Sequence, residues 1–295
     1  MLSAGKSFKA SIENELIKIS KDFLRVKGMI DENIKLEIII AKEKHKKLLV
    51  NGISKRLVDF AGNLKVVLFA PEDLDLVTSS PSLRRKFLDS VLSLTDKEYH
   101  RSILSYEKGL RQRNRILWDM RENQNGNLGK DRLLFWDQLL IKNGDYISKK
   151  REEFINFVNE TPSLNKQKSS LSYDKSAISA ERLETYAREE IASATTLVGP
   201  HRDDFFFQVR ENNLAHFGSR GEQRMAVLWL KLAELSFIEK ITNTKPTLLL
   251  DDIFSELDIK HREIVFNIAK NQQTIITTAD SHFLVDMDEL TRIQF

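Results

Sequence analysis

Thr247-Leu248-Leu249-Leu250-Asp251-Asp252-Ile253-Phe254-Ser255-Glu256-Leu257-Asp258 decides how this chain is read. Three leucines run into two adjacent aspartates, and Pro246 bounds the run on its other side. A short apolar run so bounded predicts a buried parallel strand. Its carboxylates then emerge at the strand's C-terminal edge, where open α/β sheets bind ligands. Two carboxylates there suit a Mg²⁺-nucleotide, one holding hydrated metal and the other polarising a water. A plain buried strand ending in a solvated acidic turn explains the stretch alone equally well.

The segment upstream separates the two readings. Gly218-Ser219-Arg220-Gly221-Glu222-Gln223-Arg224 opens a strongly apolar helix expected from about Glu222 to Glu239. Small residues at a helix start let a ligand approach, and the free N–H groups and helix dipole favour a phosphate. Ser219 is also a competent N-cap with Glu222 three residues on, a capping box that needs no ligand. Both readings can hold together.

Working outward, residues 22–69 are β-rich. Phe23–Ile30 and Ile34–Ala41 are separated by a polar turn, Leu48–Val50 meets the hairpin signal Asn51-Gly52, and Lys65–Phe69 is closed by Pro71. Helical spacing takes over at Ser82. A long helix over Lys97–Arg121 and a second over Arg132–Phe157 are expected to form a hairpin, broken at 123–127. Residues 159–175 read as a loop and Ala180–Ser193 as a third helix. Strands are expected at Asp204–Val209 and Thr274–Thr278, with a helix around His261–Lys270 between the last two strands. The expected fold class is therefore α/β, a mixed sheet with flanking helices and an inserted α-helical arm. Residues 1–75 and 195–295 would share one α/β unit, and 76–194 would form the helical insertion.

Composition narrows the setting. The chain has 295 residues, 41% of them hydrophobic, enough for a sizeable core. It has no cysteine, which excludes disulfides and thiolate metal sites and makes a reducing, cytoplasmic compartment the expectation. No signal-peptide core and no apolar run of membrane-spanning length are present. The net charge is +3, unevenly spread. From Arg84 to Arg151 sixteen Lys or Arg face nine Asp or Glu, whereas from Pro246 to Phe295 four face nine. The basic region fits either a solvated helix face or a polyanion such as DNA, with Arg111, Arg113 and Arg115 the candidate contacts.

Taken together, a Ser-x-Gly-Glu-Gln helix start, an apolar strand ending in Asp-Asp and a Ser-Glu-Leu-Asp turn resemble the C-terminal half of an ABC-type ATPase head. More narrowly the chain resembles the RecF family of bacterial DNA replication and repair proteins, relatives of the SMC ATPases. The resemblance rests on 197–204 (Leu-Val-Gly-Pro-His-Arg-Asp-Asp), 217–224, 248–258 and 273–280, and on 66–74 with 84–89. It covers nearly the whole chain. By this resemblance Asp251 is the Walker B aspartate holding Mg²⁺ through water. Asp252 stands where most ABC ATPases have a catalytic glutamate, consistent with slow hydrolysis. Ser219 and Gly221, with Glu222, are the signature residues that meet the γ-phosphate of ATP held by the opposite subunit. Ser255 and Asp258 belong to the D-loop at that dimer interface. The segment Ala70-Pro71-Glu72-Asp73 sits where relatives have a Q-loop but lacks the glutamine, and Thr277-Thr278-Ala279 replaces the switch-histidine region. His201 and Arg202 belong to a family-typical motif, or else only cap the strand after them.

The family resemblance implies an ATP-dependent homodimer that binds single-stranded or gapped DNA in recombinational repair and the SOS response. It also implies RecO and RecR as partners in loading RecA. A Walker A P-loop needs Gly-x-x-x-x-Gly-Lys-Ser/Thr, and the only Gly-Lys-Ser is Gly5-Lys6-Ser7, without the first glycine or a preceding strand. Either this is the tail of a P-loop, or Met1–Phe8 corresponds to the stretch that follows the P-loop helix in relatives. On the second reading the chain is a fragment or starts late, and alone it is expected to bind ATP more weakly than micromolar. The alternative function is a non-catalytic remnant of an SMC-like ATPase serving as a DNA- or protein-binding module. A RecN- or OLD-type relative is a further reading, which the short arm and the Gly-Pro-His-Arg-Asp-Asp motif disfavour.

Overall fold

The computed structural model describes residues 1–279 apart from 9, 11, 43–44, 124–125 and 165–168, together with 291 and 293. Among these residues the strands fall into three sheets. The first is an antiparallel meander of β1 (Phe23–Ile30), β2 (Ile34–Ala41), β3 (Lys46–Val50) and β4 (Ile53–Ser54). Asn51 and Gly52 both take positive φ, 51° and 79°, as the tight hairpin between β3 and β4 requires. One face of the meander buries Leu36, Ile38, Ile40 and Leu48 against Phe60 of the short helix α1 (Leu57–Phe60).

The second sheet carries the acidic edge. Its order is β10 (Thr274–Thr277), β9 (Thr247–Asp251), β5 (Val66–Phe69), all parallel. Strands from the two ends of the sequence thus meet in one sheet. Leu248 and Leu250 share a buried face with Val67 and Phe69. Helices α2 (Asp75–Thr78), α3 (Pro81–Thr95), α4 (Lys97–Asn123) and α5 (Gly126–Glu160) follow β5, and α4 and α5 pack together as a hairpin.

Of the third sheet, only the strand Asp204–Val209 was expected from the sequence. Residues 159–175 read as a loop, yet Ser169–Asp174 form β6, antiparallel to β7 (Asp204–Val209), whose edge carries β8 (Asn212–Asn213). Three serines in six residues weaken the strand signal, and pairing with the aromatic run Phe205–Phe207 supplies it. This pairing also crosses the expected boundary between arm and head. The third helix is split in two at Tyr186, α6 (Ala180–Thr185) and α7 (Ala187–Ser193).

After α8 (Leu214–Phe217), helix α9 (Arg220–Thr242) runs through the centre of the main core. Residues 225–231 are buried without interruption, so this part of α9 is enclosed on all sides rather than amphipathic, with the buried Lys231 paired to Glu234 at 2.5 Å. Trp229 anchors it by donating Nε1–H to the Thr161 carbonyl at 3.2 Å. Helix α10 (Ile259–Ala269) crosses from β9 to β10 and stacks Phe266 on Phe254. No helix among the described residues is long and apolar enough to cross a membrane.

Candidate functional site

Asp251 is the last residue of β9, and Asp252 leaves the strand with φ 51°, a left-handed geometry that aspartate tolerates. The sheet holds this corner from the side. Thr277, at the end of β10, donates its Oγ1–H to Asp251 Oδ1 at 2.6 Å, and its carbonyl accepts from the Asp252 amide at 3.0 Å. Thr277 therefore helps to orient Asp251. Sequence reasoning left it without a role, because its partner is 26 residues away and met only through parallel strand pairing.

The turn Ile253–Glu256 follows, and Asp258 caps α10, accepting from the His261 amide at 3.1 Å. His261 Nδ1 lies 2.7 Å from the same carboxylate oxygen. The His261 amide, with the imidazole behind it, holds the Asp258 carboxyl below its ordinary range. The Ser255 side chain and Asp280 lie outside the described residues.

At the head of α9 the capping box is present. Ser219 Oγ accepts from the Glu222 amide at 3.3 Å, while Glu222 Oε2 accepts from the Ser219 amide and hydroxyl, each at 2.9 Å. Those two donors lower the Glu222 pKa. Gly221 behaves differently. A Cβ placed there would meet no atom within 4 Å, and its φ is not positive. Nothing in the chain's own packing calls for glycine, so the site is open to an approach from outside. The segment Ala70–Asp73 forms a closed turn at the end of β5, with Asp73 Oδ2 accepting from the Ala70 amide at 2.9 Å.

The Gly-Pro-His-Arg-Asp-Asp loop is a hub of buried polar contacts. Arg151 of α5 donates to Asp203 Oδ2 at 3.0 Å, to the Pro200 carbonyl at 2.7 Å and to Asp89 Oδ1 at 2.8 Å. Arg84 of α3 forks onto Asp204 at 2.7 and 2.8 Å, and Arg85 donates to the Asp203 carbonyl at 2.8 Å. His201 Nε2 lies 3.0 Å from the Thr196 carbonyl, which can only accept, so Nε2 carries the proton. Nδ1 then accepts from the Tyr106 hydroxyl at 2.8 Å. Burial pushes the His201 pKa down to about 4, keeping the ring neutral. His201 thus ties the loop to the arm, and neither of these hydrogen bonds caps β7.

The basic arm requires one correction. Arg113 was expected on a DNA-facing surface, yet it is 2% exposed. Its Nε donates to Asp137 at 2.6 Å, and its Nη1 lies 2.7 Å from Glu190 and donates to Thr196 Oγ1 at 2.9 Å. An arginine whose donors are spent on buried internal acceptors cannot meet a phosphate. The i, i+2 spacing shows why: on a helix Arg111 and Arg115 lie four residues apart on a common face, with Arg113 turned away. Arg111 and Arg115 are exposed.

Comparison with known proteins agrees with this architecture. No family model matches the chain. The chain is 34% identical over 317 residues to the DNA replication and repair protein RecF of Herpetosiphon aurantiacus, covering 95% of this chain and 82% of that protein. It is 35% identical to RecF of Lachnoclostridium phytofermentans, covering 98% and 83%. A solved structure of the recombination mediator protein RecF-ATP in the RecFOR pathway superposes with a TM-score of 0.86 at 31% identity, covering 95% of this chain and 81% of that one. The α/β architecture, with its helical hairpin inserted between β5 and β6, is accordingly that of this RecF structure. With a third of its residues identical along nearly its whole length, and the same fold, the chain belongs to the RecF family of DNA replication and repair proteins.

Proposed function

We propose that this RecF-type protein acts in recombinational DNA repair by binding single-stranded or gapped DNA, with ATP-driven pairing of two copies as the switch. The observation that carries the proposal is the pairing of an oriented aspartate edge with a capped helix start left open at Gly221. Asp251 would hold Mg²⁺ through water. Asp252 is the candidate for orienting the attacking water. Ser219, Gly221 and Glu222 would receive the γ-phosphate of a nucleotide held by the opposite copy, with Asp258 and Ser255 at the seam between copies. A head at 1–75 and 195–295 and an arm at 76–194 are the working division, with Arg111 and Arg115 on the DNA side. RecR, RecO and RecA are the expected partners.

The test is DNA affinity, by fluorescence anisotropy on a gapped duplex, with and without millimolar ATP and Mg²⁺. Nucleotide should tighten binding, and Asp251→Ala and Ser219→Arg should each abolish the tightening while leaving nucleotide-free binding intact. A nucleotide effect that survives both substitutions would sink the proposal.

A further inference from the structure

A cavity of about 250 Å³ lies at the opposite end of the parallel sheet from Asp251. It is bounded by the loop entering β5, by the junction of α3 and α4, and by the last turn of α9. Lys65, Lys97, His100 and Ser93 line it, together with Gly62 and Thr242. The charge balance there is one-sided. Lys97 has no ion pair within 4 Å among the described residues, and Lys65 Nζ reaches only the Gly62 carbonyl, at 3.5 Å. Among the described residues no carboxylate lines the cavity, and those near it have other partners, although the Asp59 charge also attracts Lys97. Asp59 accepts from Arg56 at 3.0 Å, and Asp96 caps α4 through the Glu98 and Tyr99 amides and accepts from Tyr146 at 2.7 Å. Glu98 lies 3.4 Å from Arg101. His100 adds a second observation: its Nε2 is buried and has no hydrogen-bond partner among the described residues.

We propose that this cavity is a binding site for a phosphate-type oxyanion, held by Lys65 and Lys97 and partnered by His100. A concave wall focuses the field of the two ammonium groups, and a doubly charged oxyanion with several acceptor oxygens satisfies both lysines and an imidazole at once. Burial, and then Lys6, lower the His100 pKa in the absence of such an anion. A bound anion opposes both effects by stabilising the imidazolium. The site is remote from the nucleotide edge and does not depend on it. The anion can be a small phosphate ester or a backbone phosphate of nucleic acid, since the recognising chemistry is shared.

The experiment titrates inorganic pyrophosphate into the full chain at low salt in magnesium-free buffer. Calorimetry reads the affinity and the His100 ring protons read its protonation by NMR. Binding should raise the His100 pKa, and Lys65→Gln combined with Lys97→Gln should weaken the affinity at least about tenfold, equivalent to about 1.4 kcal/mol. Asp251→Ala should change neither, which separates this site from the nucleotide edge. Urea midpoints of the variants confirm that they fold, and His100→Gln serves as the second variant should the lysine pair not. Displacement of pyrophosphate by a single-stranded oligonucleotide identifies a backbone phosphate as the occupant, and its persistence identifies a small phosphate ester. An unmoved His100 together with undiminished affinity in the variants would overturn the proposal.

Discussion

His201 and Arg151 behave as structural members of the Gly-Pro-His-Arg-Asp-Asp loop, and each makes a measurable prediction. The folded-state pKa of His201 is about 4 against an ordinary 6.5, so between those values the unfolded chain binds a proton that the native one refuses. Stability is thus fully present above pH 6.5 and falls as the pH drops towards 4, by about 3 kcal/mol from this group. Protonation would also remove the Nδ1 lone pair that accepts from Tyr106. Urea midpoints measured across this range should slope accordingly, and His201→Gln should flatten the slope. Arg151 is 1% exposed and pairs with the buried Asp203 and the half-buried Asp89, so Arg151→Met leaves Asp203 without its buried counter-ion and should cost about 3–5 kcal/mol. A loss below about 1 kcal/mol would show that those carboxylates find other partners.

At the scale of elements, the start of α9 separates stability from function. Ser219→Ala removes an N-cap and should cost about 1 kcal/mol in chemical denaturation. Gly221→Ala meets no steric obstacle and should leave stability within about 1 kcal/mol, with a gain expected from the helix. The same methyl group would stand where the nucleotide of a second copy approaches, so the ATP-dependent gain in DNA affinity should disappear. A stable Gly221→Ala protein with an undiminished nucleotide response would refute the trans contact. Gly199 is the opposite case. Its φ is 123°, and a Cβ there would collide with the Tyr106 hydroxyl, so Gly199→Ala should destabilise the loop strongly. The strands and helices themselves were largely legible, because β-branched runs, an Asn-Gly hairpin and three- to four-residue apolar steps are local signals. Strand β6 was not, since Ser169–Asp174 becomes a strand only by pairing with β7, thirty-odd residues on.

For the whole molecule, three buried arginines (Arg84, Arg113 and Arg151) tie α3, α4 and α5 to the segment Thr196–Asp204 that leads into β7. The sixteen basic residues of the arm therefore do not form one surface. Reversing Arg111 and Arg115 to Glu should weaken DNA binding across sequences and lower the slope of log affinity against log salt by about two, with little effect on stability. Arg113→Glu should instead unfold the protein or lower its thermal midpoint sharply, because it sets a carboxylate against Glu190 and Asp137. Equal behaviour of the three reversals would contradict the placement of Arg113.

Local sequence patterns were enough to place the chain in its family class. An apolar run ending in Asp251 and Asp252 and a Ser-capped helix start at Ser219 are local patterns, and their combination carries the family resemblance that gives them a chemistry. Long-range packing sets which charged groups face outward and which hold the fold together. Arg111 and Arg113 are chemically identical and two residues apart, yet one is exposed and the other is buried against Glu190. Thr277 gained its role in the same way, through a strand pairing that sets it against Asp251 across 26 residues. Burial and pairing of a charge depend on the partner that packs against it, and that partner is set by long-range contacts rather than by neighbours along the chain.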